Sequence, residues 1–175
     1  MPQFESQTSI EDVPQGVRIL VVDDDASIRR LVSLALSRAG YVVDTASNGE
    51  EAIAKSNAEA YNMALIDIRL PDIQGTKLLP LLREATTPRM IKIILTGYPV
   101  LENAMEAISH GVDAYLTKPV SAETLVSKVR ELFQKQLKET EFSEERLRAY
   151  LSTRFKEAKT NRRTIGEPAD EISRS

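Results

Sequence analysis

Two short apolar runs in this chain finish on carboxylates. Val17-Arg18-Ile19-Leu20-Val21-Val22 ends in Asp23-Asp24-Asp25, and Tyr61-Asn62-Met63-Ala64-Leu65-Ile66 ends in Asp67. Runs of this kind read as parallel strands buried on both faces, and the carboxyl ends of such strands open onto the crevice where α/β sheets bind ligands. If the two ends are neighbours, several negative charges meet in one small site, which is unfavourable unless a cation lies among them. An all-oxygen donor set selects a hard divalent ion such as Mg²⁺. Solvated loop acids are the plainer reading of either cluster taken alone.

Two further strand ends carry useful groups. Ile91-Lys92-Ile93-Ile94-Leu95 runs into Thr96-Gly97, and Ala114-Tyr115-Leu116-Thr117 runs into Lys118-Pro119. A lone Thr or Lys after a strand is ordinarily a turn residue or a solvated charge. Together, on one edge of one sheet, the groups make chemical sense. Clustered carboxylates hold a divalent ion, the ion and an ammonium neutralise an incoming phosphoryl group, a hydroxyl contacts one of its oxygens, and one carboxylate attacks phosphorus.

The elements that must position these groups alternate along the chain. Ile28, Leu31, Val32, Ala35, Leu36 and Ala39 fall at helical spacing after the first strand, with Asp25 or Ser27 as cap and Gly40 as stop. Tyr41–Ala46 reads as a second strand, and Asn48-Gly49 turns into a short helix with Ala52 and Ile53 on its inner side. Beyond Asp67, Leu70–Gly75 is loop chemistry in which Asp72 and Gly75 read as turn residues. A helix bearing Leu78, Leu79, Leu81 and Leu82 is expected to follow. Another runs from about Leu101 to His110, where His110 suits the negative end of the helix dipole and Gly111 ends it. Leu125, Val126, Val129, Leu132 and Phe133 mark the last helix. Five strands alternating with five helices predict a parallel sheet with helices on both faces and right-handed crossovers.

Composition narrows the function classes. Cysteine is absent and His110 is the single histidine, so zinc-thiolate and multi-histidine sites are excluded, as is a Ser/His/Asp triad built anywhere but around His110. A formal charge of -3 argues against nucleic-acid binding by the chain as a whole. No apolar stretch is long enough for a membrane span, and a cytoplasmic location is the default expectation. Residues 1–16 read as a flexible arm, 17–137 as the folded domain, 138–163 as a helical extension and 164–175 as a disordered tail.

Four stretches, Ile19–Asp25, Ala64–Gly75, Ile93–Gly97 and Gly111–Pro119, stand in the order and spacing of a known family. Over about Val17 to Leu137 the chain resembles the receiver domain of two-component response regulators. The resemblance implies a flavodoxin-like sheet of order 2-1-3-4-5. It implies that Asp67 is the phosphoacceptor, taking its phosphoryl group from a sensor histidine kinase or phosphotransfer protein. It further implies that Asp24 binds Mg²⁺ directly, Asp23 through a water, and Arg69 through its main-chain carbonyl. Lys118 then pairs with Asp67 or the phosphoryl oxygens, Thr96 and Tyr115 act as switch residues, and Lys118–Pro119 is cis. The resemblance also implies that Arg69 and Tyr98, each two positions beyond a site residue, flank the phosphoryl group, where they would hinder the attacking water. By composition alone Tyr115 is a half-buried strand aromatic.

Two rivals stay in view. A degenerate receiver acting only as an interaction module has no need of the full set Asp23, Asp24, Asp67, Thr96 and Lys118. An aspartyl-nucleophile phosphohydrolase of the haloacid-dehalogenase kind expects a second Asp where Arg69 stands. The 38 residues after Leu137 are fewer than a winged-helix effector needs, so a stand-alone switch rather than an enzyme is expected. Its partners would be a kinase, an unnamed downstream protein and a second copy of itself, engaged through the fourth helix, fifth strand and fifth helix. Ser143–Thr160 can form a helix with Leu147, Tyr150, Leu151, Phe155 and Ala158 on one face. It extends the last helix, docks on the domain, or pairs with another chain. Seven basic residues between Arg146 and Arg163 face a single acid, Glu157; a solvated helix face is the plainer reading of that run.

Overall fold

The structure, a computed structural model, describes residues 16–85 and 87–164, with side chains to Thr153. The expectations of a flexible arm before Gly16 and a disordered tail after Thr164 fall outside the described residues. Strands β1 (Arg18–Val22), β2 (Val42–Ala46), β3 (Met63–Ile66), β4 (Ile91–Thr96) and β5 (Ala114–Thr117) form one parallel sheet ordered β2-β1-β3-β4-β5. Helices α1 (Ala26–Arg38), α2 (Gly49–Ala58), α3 (Gly75–Leu78), α4 (Leu101–Ser109) and α5 (Ala122–Thr164) alternate with them. This is the flavodoxin-like architecture that the family resemblance implied. The chain divides into two compact units, Met1–Gln134 and Lys135–Ser175.

β3 and β4 are buried along their whole length, which is why they read as apolar runs, interrupted in β4 by Lys92, whereas the edge strands β2 and β5 are half exposed. Alternation along β1 sends Ile19 and Val21 to one core with Val32 and Leu36 of α1 and Leu125 and Val129 of α5. Leu20 and Val22 face the other core, with Ala52 of α2, Leu78 of α3 and Ala107 of α4. Capping follows the sequence. Asp25 accepts the N–H groups of Ser27 (2.8 Å) and Ile28 (3.2 Å), Asn48 accepts that of Glu51 (2.8 Å), and Gly40 after α1 has φ of 97°. Glu51 reaches back to accept the N–H of Ser47 (2.7 Å), just before the cap residue, and that bond, helped by Lys55, holds its carboxyl down at about 2.

One helix is shorter than its leucines suggest. α3 stops at Leu78, and Leu79–Leu82 continue as turns. Pro80 lacks the N–H that a continuing helix would direct at the carbonyl of Thr76. That carbonyl is taken instead by Nδ1 of His110, at 2.9 Å, from the end of α4. His110 therefore does more than meet a dipole: it ties α4 to α3, alongside Gln74–Asn103 (2.8 Å) and Thr76–Glu106.

Candidate functional site

Register brings the first two carboxylates together. Val22 and Ile66 are partners on adjacent strands, and Asp23 and Asp67 are the next residues. The N–H of Asp67 donates to the Val22 carbonyl (2.8 Å) and that of Asp23 to the Ala46 carbonyl (3.1 Å), so both acids leave the sheet at the same level. Carboxylate oxygens of Asp23, Asp24 and Asp67 all lie within 4.8 Å of one another, Asp24 exposed and the other two buried. Lys118, at the end of β5, reaches across β4 to Oδ2 of Asp23 and to Oδ2 of Asp67 (3.3 Å). The Lys118–Pro119 bond is cis, as is Thr87–Pro88.

The loop after β3 is drawn against the phosphoacceptor candidate. Arg69 and Gln74 form an antiparallel bridge, and the N–H of Gly75 donates to the Ile68 carbonyl at 2.7 Å. A Cβ on Gly75 would lie 2.0 Å from the Asp67 carbonyl oxygen, so only glycine permits this approach. Asp72 holds the loop from the far side, accepting the N–H groups of Gly49 (2.9 Å) and Glu50 (2.8 Å) at the start of α2. Those bonds, the Gly49 one first, keep its carboxyl below the usual range. Asp72 and Gly75 are thus positioning residues that sequence reading took for plain turn formers. The cap lies 22 residues away along the chain, and no local signal marks it.

The electrostatics are those of a site prepared for something further. Burial pushes the Asp23 carboxyl above its ordinary value; Lys118 and the Asp25 N–H oppose this without cancelling it, and the Asp67 charge adds to the rise. Oδ1 of Asp67 is fully buried with no hydrogen-bond partner. A buried carboxylate oxygen left unpaired beside two more carboxylates fits a divalent cation, which would satisfy that oxygen and offset the crowding. Thr96 is wholly buried, its Oγ1 accepting the Tyr98 N–H (3.1 Å). Tyr115 is half-buried, its hydroxyl out of solvent and unpartnered; burial first, then the Asp67 charge, raises its pKa. Arg69 lies stacked on Tyr98, its guanidinium carbon 3.2 Å from the ring centre. The positions of both were singled out in the sequence, but not their contact.

A parallel sheet with a cluster of three aspartates and a lysine at its carboxyl edge defines the class: a doubly wound α/β domain with a charged site at the ends of its strands. Comparison with known proteins narrows this. The response regulator receiver domain family matches residues 19–130, and the chain belongs to that family. The transcriptional regulatory protein ResD of Bacillus subtilis is 35% identical over 124 residues, 71% of this chain and 51% of its own. The chain spans about half the length of the curated relatives it matches. A CheY-like receiver domain protein from Methanospirillum hungatei superimposes with a TM-score of 0.67 at 41% identity, covering 71% of this chain and 99% of that one. A response regulator from Burkholderia pseudomallei (TM-score 0.61, 29% identity, 70% and 72% covered) was crystallised with a phosphorylated aspartic acid, a calcium ion and citrate.

Proposed function

We propose that this chain is a phosphorelay response regulator in which Asp67 accepts a phosphoryl group from a histidine kinase or phosphotransfer protein. The observation that carries this reading is the buried, unpartnered Oδ1 of Asp67 beside the Lys118 ammonium. With Oδ1 reserved for a cation, Oδ2 of Asp67 is the oxygen that attacks phosphorus as Lys118 releases it. The new P–O bond forms as the donor's P–N bond breaks, and the imidazole leaves. Lys118 then shifts its pairing from carboxylate to phosphoryl oxygens, and the Thr96 hydroxyl, now engaged only by a backbone N–H, supplies one further donor. A Mg²⁺ ion held by Asp24, Asp67, the Arg69 carbonyl and, through water, Asp23 would neutralise the charge that develops on the transferring group. The phosphorylated aspartate and calcium ion of the Burkholderia relative support this donor set.

The product of the reaction is a conformational state rather than a turned-over metabolite. Thr96 and Tyr115 follow the new charge, and the α4–β5–α5 face changes its partner preference. Leu101, Met105 and Ile108 support an interaction role for that face, since α4 leaves all three more than half exposed. Residues 17–137 act as the receiver and 138–163 as a helical extension, in a cytoplasmic protein; among the described residues no helix is long and apolar enough to cross a membrane.

The decisive experiment is intact-mass analysis after incubation with Mg²⁺ and acetyl phosphate. The expected result is a gain of one phosphoryl group by the native chain and none by Asp67→Asn; phosphorylation of the variant, or none of either, overturns the reading. If the Arg69–Tyr98 stack hinders the attacking water, Arg69→Ala with Tyr98→Ala should speed loss of the phosphoryl group severalfold. An unchanged dephosphorylation rate removes that role.

A further inference from the structure

From Lys135 the chain forms its own unit, helical to Thr164. Every residue from Glu141 to Thr153 is exposed, Leu147 at 58% and Leu151 at 44%. Helices in water draw most of their stability from packing an apolar face, and this one presents its leucines to solvent. Leu137, Glu144, Leu151 and Ala158 recur at heptad spacing, with Thr140, Leu147 and Arg154 at the alternate positions, the pattern of a two-stranded seam. Two charges interrupt it, Glu144 and Arg154.

We propose that this segment pairs with the same segment of a second copy of the chain, antiparallel. In a parallel pair each seam residue meets itself, so Glu144 would face Glu144 and Arg154 would face Arg154, two like-charge layers. In an antiparallel pair each layer joins the two kinds of position. The register that sets Leu147 against Leu151 also sets Glu144 against Arg154 and Thr140 against Ala158. The interrupting charges become partners, and leucine layers lie between them. Charge along the segment agrees: residues 135–145 hold two lysines and four glutamates, residues 146–163 seven cations and one acid. Only the antiparallel arrangement lays the acidic half on the basic half. Tyr150 meets its counterpart beside the leucine layers. Arg148 does so too, with Glu144 of its own helix 3.6 Å away to offset the repulsion. This pairing does not depend on the phosphoacceptor reading.

The test uses the full-length chain in sedimentation equilibrium over a concentration series. The native chain is expected to dimerise, and Leu147→Glu with Leu151→Glu to weaken association at least about a hundredfold. Glu144→Arg alone and Arg154→Glu alone should each weaken it about tenfold, and the two together should restore it. Because the chain has no cysteine, orientation is read directly. Mixing Thr140→Cys with Ala158→Cys chains under oxidation should give the mixed disulfide, while either variant alone stays uncrosslinked. A monomer at all concentrations, self-crosslinking of Thr140→Cys, a dimer that survives the leucine substitutions, or failure of the charge swap to restore association overturns the proposal. Thermal unfolding of each variant's receiver unit shows that loss of pairing is not loss of fold.

Discussion

The two edges of the sheet treat charge in opposite ways. At the amino edge opposite charges are joined, although Arg18 leaves its Nε buried without a partner. Arg18 places one terminal nitrogen on Asp44 (2.8 Å) and the other on Glu59 (3.2 Å), and the Tyr61 hydroxyl completes Asp44 at 3.0 Å. Arg89 grips both oxygens of Asp113, and the buried Lys92 reaches Glu84 at 2.5 Å. At the carboxyl edge three aspartates converge and two of them share one lysine, a carboxylate oxygen and a tyrosine hydroxyl are buried without partners, and one acid is held above its ordinary pKa. The same sheet supports both, so the difference is not one of fold quality. The amino edge is arranged for stability, while the carboxyl edge leaves groups unsatisfied that a ligand or a phosphoryl group can satisfy.

The largest effect should come from the backbone approach that shapes the carboxyl edge. Gly75→Ala forces a Cβ to 2.0 Å from the Asp67 carbonyl, a clash with backbone that no rotamer relieves. It should cost about 3 kcal/mol or more, read as a lower urea midpoint, with loss of phosphorylation from whatever folds. Next come two chemically identical changes with opposite signs. Asp44→Asn removes the charge that Arg18 and Tyr61 hold, and should cost about 1–2 kcal/mol, modest because the pair is one-third exposed. Asp23→Asn removes a charge that burial disfavours, and at neutral pH should raise stability by about 1 kcal/mol while weakening metal-dependent phosphorylation. The sign follows from the raised pKa. The folded state favours the protonated acid, so native stability falls as pH rises through the Asp23 pKa. The variant's advantage is therefore largest above that value and vanishes as pH drops below the ordinary carboxylate range. Equal signs for the two substitutions would break the contrast between the edges.

How much of this was legible in the sequence follows the same division. Strands β1, β3 and β4 could be read because burial on both faces leaves a mainly apolar run, and their ends named Asp23, Asp24, Asp67 and Thr96 directly. Lys118 needed the fifth strand, whose half-exposed pattern is weaker, but its position after Thr117 was enough. Local caps were equally visible, since Asp25 and Asn48 act within their own turn. What stayed hidden depends on partners far apart in the chain. Arg18 with Glu59, Asp72 with the start of α2 and His110 with the Thr76 carbonyl are separated by 41, 22 and 34 residues, and no periodicity encodes them. The end of α3 is a different case. Pro80 announced it, but four leucines at near-helical spacing spoke for a longer helix, and the proline's missing N–H prevailed.

The smallest effect is also the cleanest comparison, because it deletes one oxygen from each edge. Tyr61 is buried, and its hydroxyl donates to Asp44; burial and that carboxylate together lift its pKa to about 12. Tyr61→Phe therefore leaves a charged acceptor short of one bond and should cost about 1 kcal/mol. The Tyr115 hydroxyl is out of solvent with nothing to bond, so its removal abandons no partner and discards a desolvated polar atom. Tyr115→Phe should leave stability within about 0.5 kcal/mol of the native chain or raise it slightly. Urea unfolding of both variants beside the native chain decides the matter. A Tyr115→Phe loss as large as that of Tyr61→Phe would mean that the carboxyl-edge hydroxyl is satisfied in solution. The view of that edge as a set of groups awaiting a ligand would then hold for Asp67 alone.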